Sequence, residues 1–164
     1  MELFDTLRAA ADPARAEPMA AYMRHRFPYL GIPTPERRRL SRPFLQALGK
    51  APLDWDFVAT CWGEPEREFQ YVGVDYLAGV KARLTPADVP RLAGLITSKS
   101  WWDTVDGLDA IVGDIARRYP VVNDTLLAWS TDDNIWLRRA AIDHQLLRKT
   151  ATGTDLLERI IVNN

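Results

Sequence analysis

Three aspartates set the frame of this chain. Asp75, Asp109 and Asp143 stand 34 residues apart, each preceded by a small residue and an aliphatic one: Gly73-Val74-Asp75, Gly107-Leu108-Asp109 and Ala141-Ile142-Asp143. A period of this length belongs to arrays of helix pairs, in which no unit buries its apolar face alone and each stacks on its neighbours. In every predicted unit a shorter amphipathic helix precedes a longer one: about residues 54–62 before 66–83, 86–98 before 100–118, and 121–130 before 134–149. Stacked pairs of this kind form an α-solenoid with a concave face, a surface suited to an elongated partner.

Local signals agree with helices throughout. Thr34-Pro35-Glu36 and Thr85-Pro86-Ala87 each put a capping hydroxyl before a proline at the first helical position, where the missing N–H costs nothing. Apolar residues then recur at three and four spacing, as in Leu40, Phe44, Leu45 and Leu48, or Val105, Leu108, Ile111, Val112 and Ile115. No alternating strand pattern stands out, and Asp106-Gly107 lies inside a helical pattern rather than at a hairpin. The expectation is an all-α chain, with residues 1–164 as a single domain large enough for a real core.

Several function classes are excluded by what is missing. The one cysteine, Cys61, makes neither an internal disulfide nor a multi-cysteine metal site, and its neighbours mark it as a buried small residue. His25 and His144 are the only histidines and lie far apart, so no metal is expected, and both read as surface or interhelix residues. No phosphate-binding glycine loop of a common type and no strand-borne nucleophile elbow occur, and no organic cofactor is implied. Arg, Asp or Glu interrupts every apolar run, and the N-terminus carries acids where a secretory signal carries bases, so the expected location is the cytoplasm, with no membrane partner.

A net charge of −1 argues at face value against a polyanionic partner. By segment the picture changes. Residues 1–50 hold nine Lys/Arg against five Asp/Glu, residues 51–110 five against ten, and residues 111–164 seven against seven. The bases gather at Arg24, Arg26, Arg37, Arg38, Arg39 and Arg42, and again at Arg138, Arg139, Arg148 and Lys149.

Seven residues before the repeated aspartates stand Glu68, Trp102 and Trp136, so two units place an indole at an equivalent point and are expected to turn it the same way. Asp106 follows Trp102 by four residues and shares its helix face. Arg139 follows Trp136 by three and occupies nearly the place that Asp106 holds one unit earlier. Aromatic, acid and guanidinium thus have the register to meet in one groove. The residues alone leave other readings open: Trp101 or Trp102 as core, Asp106 and Arg139 as a simple ion pair, and the repeated aspartates as scaffolding between units.

Longer motifs point further. Lys99-Ser100-Trp101-Trp102-Asp103-Thr104-Val105-Asp106, with residues 133–141 (Asp-Asn-Ile-Trp-Leu-Arg-Arg-Ala-Ala), resembles the AlkD-like DNA alkylation-repair glycosylases. Tyr22-Met23-Arg24-His25, residues 31–38 (Gly-Ile-Pro-Thr-Pro-Glu-Arg-Arg) and Pro65-Glu66-Arg67-Glu68-Phe69-Gln70 are similar to signatures of the same family, so the resemblance runs from about residue 15 to 160. It implies a HEAT-like repeat α-solenoid of antiparallel helix pairs whose concave face grips duplex DNA. It also implies excision of purines alkylated at N3 or N7 without base flipping, although most glycosylases flip.

Carried over by motif position, Asp106 corresponds to the catalytic carboxylate, Trp102 to the aromatic against the lesion's sugar, and Arg139 to the cation at the backbone. Tyr22 matches a family aromatic near the site, with a half-buried core tyrosine as the alternative; Trp136 is a candidate DNA contact, and Arg38 and Arg148 are candidate phosphate contacts. Pro33 departs from the pattern, standing where relatives often present a polar residue to DNA. The chain also ends about two helix pairs earlier than family members usually do, without a further Trp-bearing helix, which suggests an uncapped C-terminal repeat able to self-associate. Besides the glycosylase, a non-catalytic DNA-binding relative and a protein-binding HEAT-like scaffold therefore remain open.

Overall fold

The computed structural model describes residues 2–164, and all of their regular secondary structure is helical. The helices fall into two compact units, one up to Gly79 and one from Val80 onward.

In the first unit, α1 (Glu2–Ala9), α2 (Pro13–Tyr22), α3 (Thr34–Leu48), α4 (Trp55–Gly63) and α5 (Arg67–Val80) follow in order. Asp12 caps α2 by accepting from the Ala14 N–H at 3.0 Å, with Pro13 at the first position. Asp54 does the same for α4, accepting from Phe57 N–H at 2.8 Å. Leu3, Phe4 and Leu7 of α1 pack with Leu30, Ile32, Cys61, Phe69 and Val72, and the Phe4 and Phe69 rings stack at 5.0 Å. Each such side chain contributes about 1.5–3 kcal/mol of burial. Cys61 is fully buried, as expected, and burial pushes its thiol up to about 12.

The second unit holds α6 (Val89–Ile96), α7 (Trp102–Arg118), α8 (Val122–Trp129), α9 (Ile135–Asp143) and α10 (Thr154–Val162). The 17-residue α7 is its axis, packing on both α6 and α9. Its face of Val105, Leu108, Ile111, Val112 and Ile115 is the predicted apolar stripe, and all five are buried.

Helix ends differ from the sequence expectation in instructive ways. Thr34 does not cap α3 but begins it, with Pro33 outside and no side-chain cap bond. Thr85 caps as expected, its N–H donating to Asp88 Oδ2 at 2.8 Å, yet what it opens is a 3-10 turn, residues 86–88, before α6. The helix expected over 66–83 ends its α portion at Val80 and closes as a 3-10 turn. The helix expected from 100 starts at Trp102, because Trp101 is extended.

The largest correction concerns residues 134–149, where α9 stops at Asp143. Gly113 of α7 approaches so closely that a Cβ there would lie 1.9 Å from the His144 carbonyl oxygen. The chain turns away through tight bonds from Leu146 N–H to Asp143 O and from Arg148 N–H to Gln145 O, both 2.8 Å. Gln145 then clasps Gly153, accepting from its N–H at 2.7 Å and donating to its carbonyl at 3.2 Å, and α10 follows. No helix among the described residues is long and apolar enough to cross a membrane.

Candidate functional site

The chemistry expected of Asp106 and Arg139 depends on the phase of two neighbouring helices. Asn134 caps α9 by accepting from the Trp136 N–H at 2.9 Å, and Arg139 on that helix faces α7. There Arg139 Nε and Nη2 fork the Asp106 carboxylate at 2.7 and 2.9 Å. Both side chains remain about 40% exposed, at 40% and 42%, so this is a two-pronged, charge-assisted contact open to solvent. Asp106 in turn raises the Arg139 guanidinium above its ordinary range.

Two further carboxylates surround this pair. Asp143, one turn on from Arg139, lies 3.5 Å from its Nε. Asp109, one turn on from Asp106, is only 4% exposed, and its Oδ2 has no hydrogen-bond partner among the described residues. One oxygen from each of Asp106, Asp109 and Asp143 lies within 4.8 Å of the others. The positive charge beside these oxygens is the Arg139 guanidinium. Burial first, then the charges of Asp106 and Asp143, push the Asp109 carboxyl up to about 8. A carboxyl raised this far favours its protonated form at neutral pH.

Of the adjacent indoles at the start of α7, one packs and the other is exposed. Trp102 opens α7 four residues before Asp106, on the same face, and is 38% exposed. Trp136 has Trp101 as an aromatic neighbour, at 5.6 Å and an interplanar angle of 63°. That edge-to-face contact anchors the start of α7 and leaves Trp102 as the more exposed indole.

Arg148 spends both of its terminal nitrogens inside the second unit. Its Nη2 reaches the Gly113 carbonyl at 2.8 Å and its Nη1 the Gln145 side chain at 3.0 Å, and burial lowers its pKa. The residue expected at a DNA phosphate thus fastens the turn after α9 to α7. His144 is buried beside it, with Nδ1 2.7 Å from the Ala141 carbonyl.

In the first unit Tyr22 ends α2 with 74% exposure. Arg38 and the buried Arg37 both converge on Asp75, at 3.2 and 3.1 Å, so among the described residues Asp75 is the repeated aspartate that joins two helices through ion pairs. Arg39 and Arg42 lie exposed along α3. Glu68, which the repeat aligned with the indoles, is wholly buried and accepts the three consecutive backbone N–H groups of Leu30, Gly31 and Ile32 at 3.0, 2.9 and 3.1 Å. Sequence reasoning missed this anchor. Its one signal is an Arg-Glu pair leading into the apolar positions Phe69 and Val72, where an unpaired charge is not sustainable.

The sequence pattern of the DNA alkylation repair enzyme family matches residues 3–164. A solved structure described as a predicted DNA alkylation repair enzyme from Enterococcus faecalis superposes with a TM-score of 0.86 at 32% identity, covering 93% of this chain and 73% of that one. Among curated proteins there is no match. The chain belongs to the DNA alkylation repair enzyme family.

Proposed function

We propose that this protein is an alkylpurine DNA glycosylase, a hydrolase that cleaves the N-glycosidic bond of N3- or N7-alkylated purines in duplex DNA without flipping the base, in the service of base-excision repair. On this reading residues 1–164 act as one cytoplasmic HEAT-like domain whose concave face takes the duplex. The observation that carries the proposal is the exposed fork of Arg139 on Asp106, on the helix face that also bears Trp102.

The chemistry is consistent with so sparse a site. Alkylation at N3 or N7 already makes the purine cationic, so its bond to the sugar is weakened and no general acid is needed to protonate the leaving base. What remains is to stabilise the oxocarbenium ion that develops on the deoxyribose and to deliver water. Asp106 supplies the negative charge for the first task and a hydrogen-bond acceptor for the second. Trp102 sets its electron-rich face against the same cation. Arg139, whose planar fork suits a phosphate as well as a carboxylate, turns from Asp106 to the DNA backbone when the duplex binds. Tyr22, Trp136, Arg38 and the exposed Arg39 and Arg42 are the further contacts, with aromatics near the lesion and guanidinium groups along the strands.

Base release from methylated duplex DNA, resolved by chromatography, tests this. Wild type is expected to free 3-methyladenine or 7-methylguanine, and Asp106→Asn to slow release by about 10²-fold or more, the scale of losing a transition-state charge contact. Absence of release by the wild type, together with salt-dependent duplex binding, overturns the glycosylase and leaves a non-catalytic DNA-binding relative.

A further inference from the structure

We propose that Asp109 is a positioning residue for the reaction at Asp106: a buried, proton-bearing carboxyl that donates a hydrogen bond to the Asp106 carboxylate once Arg139 has left it for a DNA phosphate. The inference rests on the reading of Asp106 and Arg139 given above.

Charge is the first argument. Asp106, Asp109 and Asp143 bring three carboxylate oxygens within 4.8 Å of one another beside a single guanidinium. Were all three ionised, the cluster would carry two uncompensated negative charges, one of them on a side chain only 4% exposed. A buried, unpaired carboxylate costs several kcal/mol, and a proton removes that cost. The charged groups acting on Asp109 are Asp106 of its own helix and Arg139 and Asp143 of α9; α6 and α8 contribute none among the described residues. The carboxyl is accordingly pushed up to about 8, with burial the largest cause.

Geometry is the second argument. Asp109 sits three residues after Asp106 in an unbroken α-helix, so the two side chains are neighbours on one face. Its Oδ2 is buried without a hydrogen-bond partner in the present state. An orphaned polar atom in a protein interior calls for an explanation, and a second state in which it is satisfied supplies one. The gap of up to 4.8 Å to its neighbours exceeds a hydrogen bond by about 2 Å, a distance that a side-chain rotation closes.

The third argument concerns what a neutral donor does that Arg139 cannot. A guanidinium forked on Asp106 cancels its charge and occupies both of its oxygens. A protonated Asp109 holds one oxygen in place and leaves the full negative charge facing the cationic sugar. No proton is transferred: it stays on Asp109 from the binding of DNA to the release of the base. Arg139 meanwhile is free to engage phosphate, so the two groups exchange roles on Asp106.

Single-turnover base release between about pH 6 and 9.5 separates this role from a packing role. Arg139 lowers the Asp109 carboxyl in the free protein and has left it in the complex, so wild type is expected to lose rate only at a pH above about 8, as the Asp109 proton departs. Asp109→Asn keeps an N–H donor and does not ionise, so its profile lacks that alkaline fall. Asp109→Val, which lacks the donor, is expected to be at least about tenfold slower than Asp109→Asn at neutral pH with duplex affinity unchanged, the loss of one hydrogen bond to a charged acceptor. Should Asp109→Val not fold, the comparison of wild type with Asp109→Asn decides alone. An alkaline fall that persists in Asp109→Asn, or a Val variant as fast as the Asn one, overturns the inference while leaving the glycosylase standing. No release by wild type at any pH overturns the glycosylase itself, and the role at Asp106 with it.

Discussion

Replacing Asp109 with Asn should make the protein more stable at neutral pH, and the size of the gain follows from its surroundings. In the unfolded chain the carboxyl ionises near its ordinary 3.8, whereas in the fold it is pushed up to about 8. Between those limits the folded protein keeps a proton that the unfolded chain has released. Folding stability on account of this group is therefore greatest below the unfolded pKa, declines by about 1.4 kcal/mol per pH unit as the pH rises toward 8, and is level above it. At pH 7 the accumulated cost is on the order of 4 kcal/mol. An Asn escapes it but leaves a buried amide imperfectly bonded, at about 1–3 kcal/mol, so a net gain of roughly 1–3 kcal/mol remains. Urea unfolding followed by circular dichroism at about pH 5, 6, 7 and 8 tests the slope directly: the advantage of the variant should widen by about 4 kcal/mol across the range. If the two proteins instead give parallel curves, Asp109 is ionised in both states and the account of the cluster fails.

Two further predictions concern the turn after α9. Gly113→Ala puts a Cβ 1.9 Å from the backbone oxygen of His144, which cannot swing aside. A loss of about 2–4 kcal/mol is expected, whereas Gly79→Ala, with nothing within 4 Å, should gain about 0.5–1 kcal/mol; thermal melts of the pair read the opposite signs. Burial, with a lesser push from Arg148, lowers His144 to about 4, against the opposing pull of the Ala141 carbonyl. The unfolded chain therefore takes up this proton first, and stability is lost as the pH falls from about 6.5 to 4, by roughly 3 kcal/mol in all. Its imidazole NMR signals should stay flat from about pH 8 to 5, and a midpoint near 6.5 would refute the buried, neutral ring.

What the sequence disclosed followed from how local each determinant is. The stripe of Val105, Leu108, Ile111, Val112 and Ile115 is a property of one helix, and its burial was readable from spacing. The Asp106–Arg139 contact was readable too, because a 34-residue period and the 3.6-residue turn together fix the register of two neighbouring helices. Which indole packs on Trp136 was not, because that choice depends on Trp101 adopting an extended conformation just before α7 begins. Nor was the end of α9, which falls where Gly113 of another helix comes close to His144 and no glycine or proline stands near residue 143. The period also suggested one scaffolding role for three aspartates. Only Asp75 fills it, because two arginines of α3 face it, while Asp109 meets acids and a shared guanidinium.

Glu68 bears on how this array can change over time. Its carboxylate holds the three N–H groups of residues 30–32, and the segment it fixes runs directly into α3, which carries Arg37, Arg38, Arg39 and Arg42. At the same register of the repeat stand Trp102 and Trp136, whose indoles have no oxygen with which to accept a backbone N–H. The first long helix of the repeat is thus not a spare part. A tryptophan installed in place of Glu68 would leave three backbone donors without an acceptor and the arginines of α3 without a fixed bearing. Residues 30–32, Glu68 and the bearing of α3 are therefore coupled within the first unit, and a change at any one of them is felt by the other two.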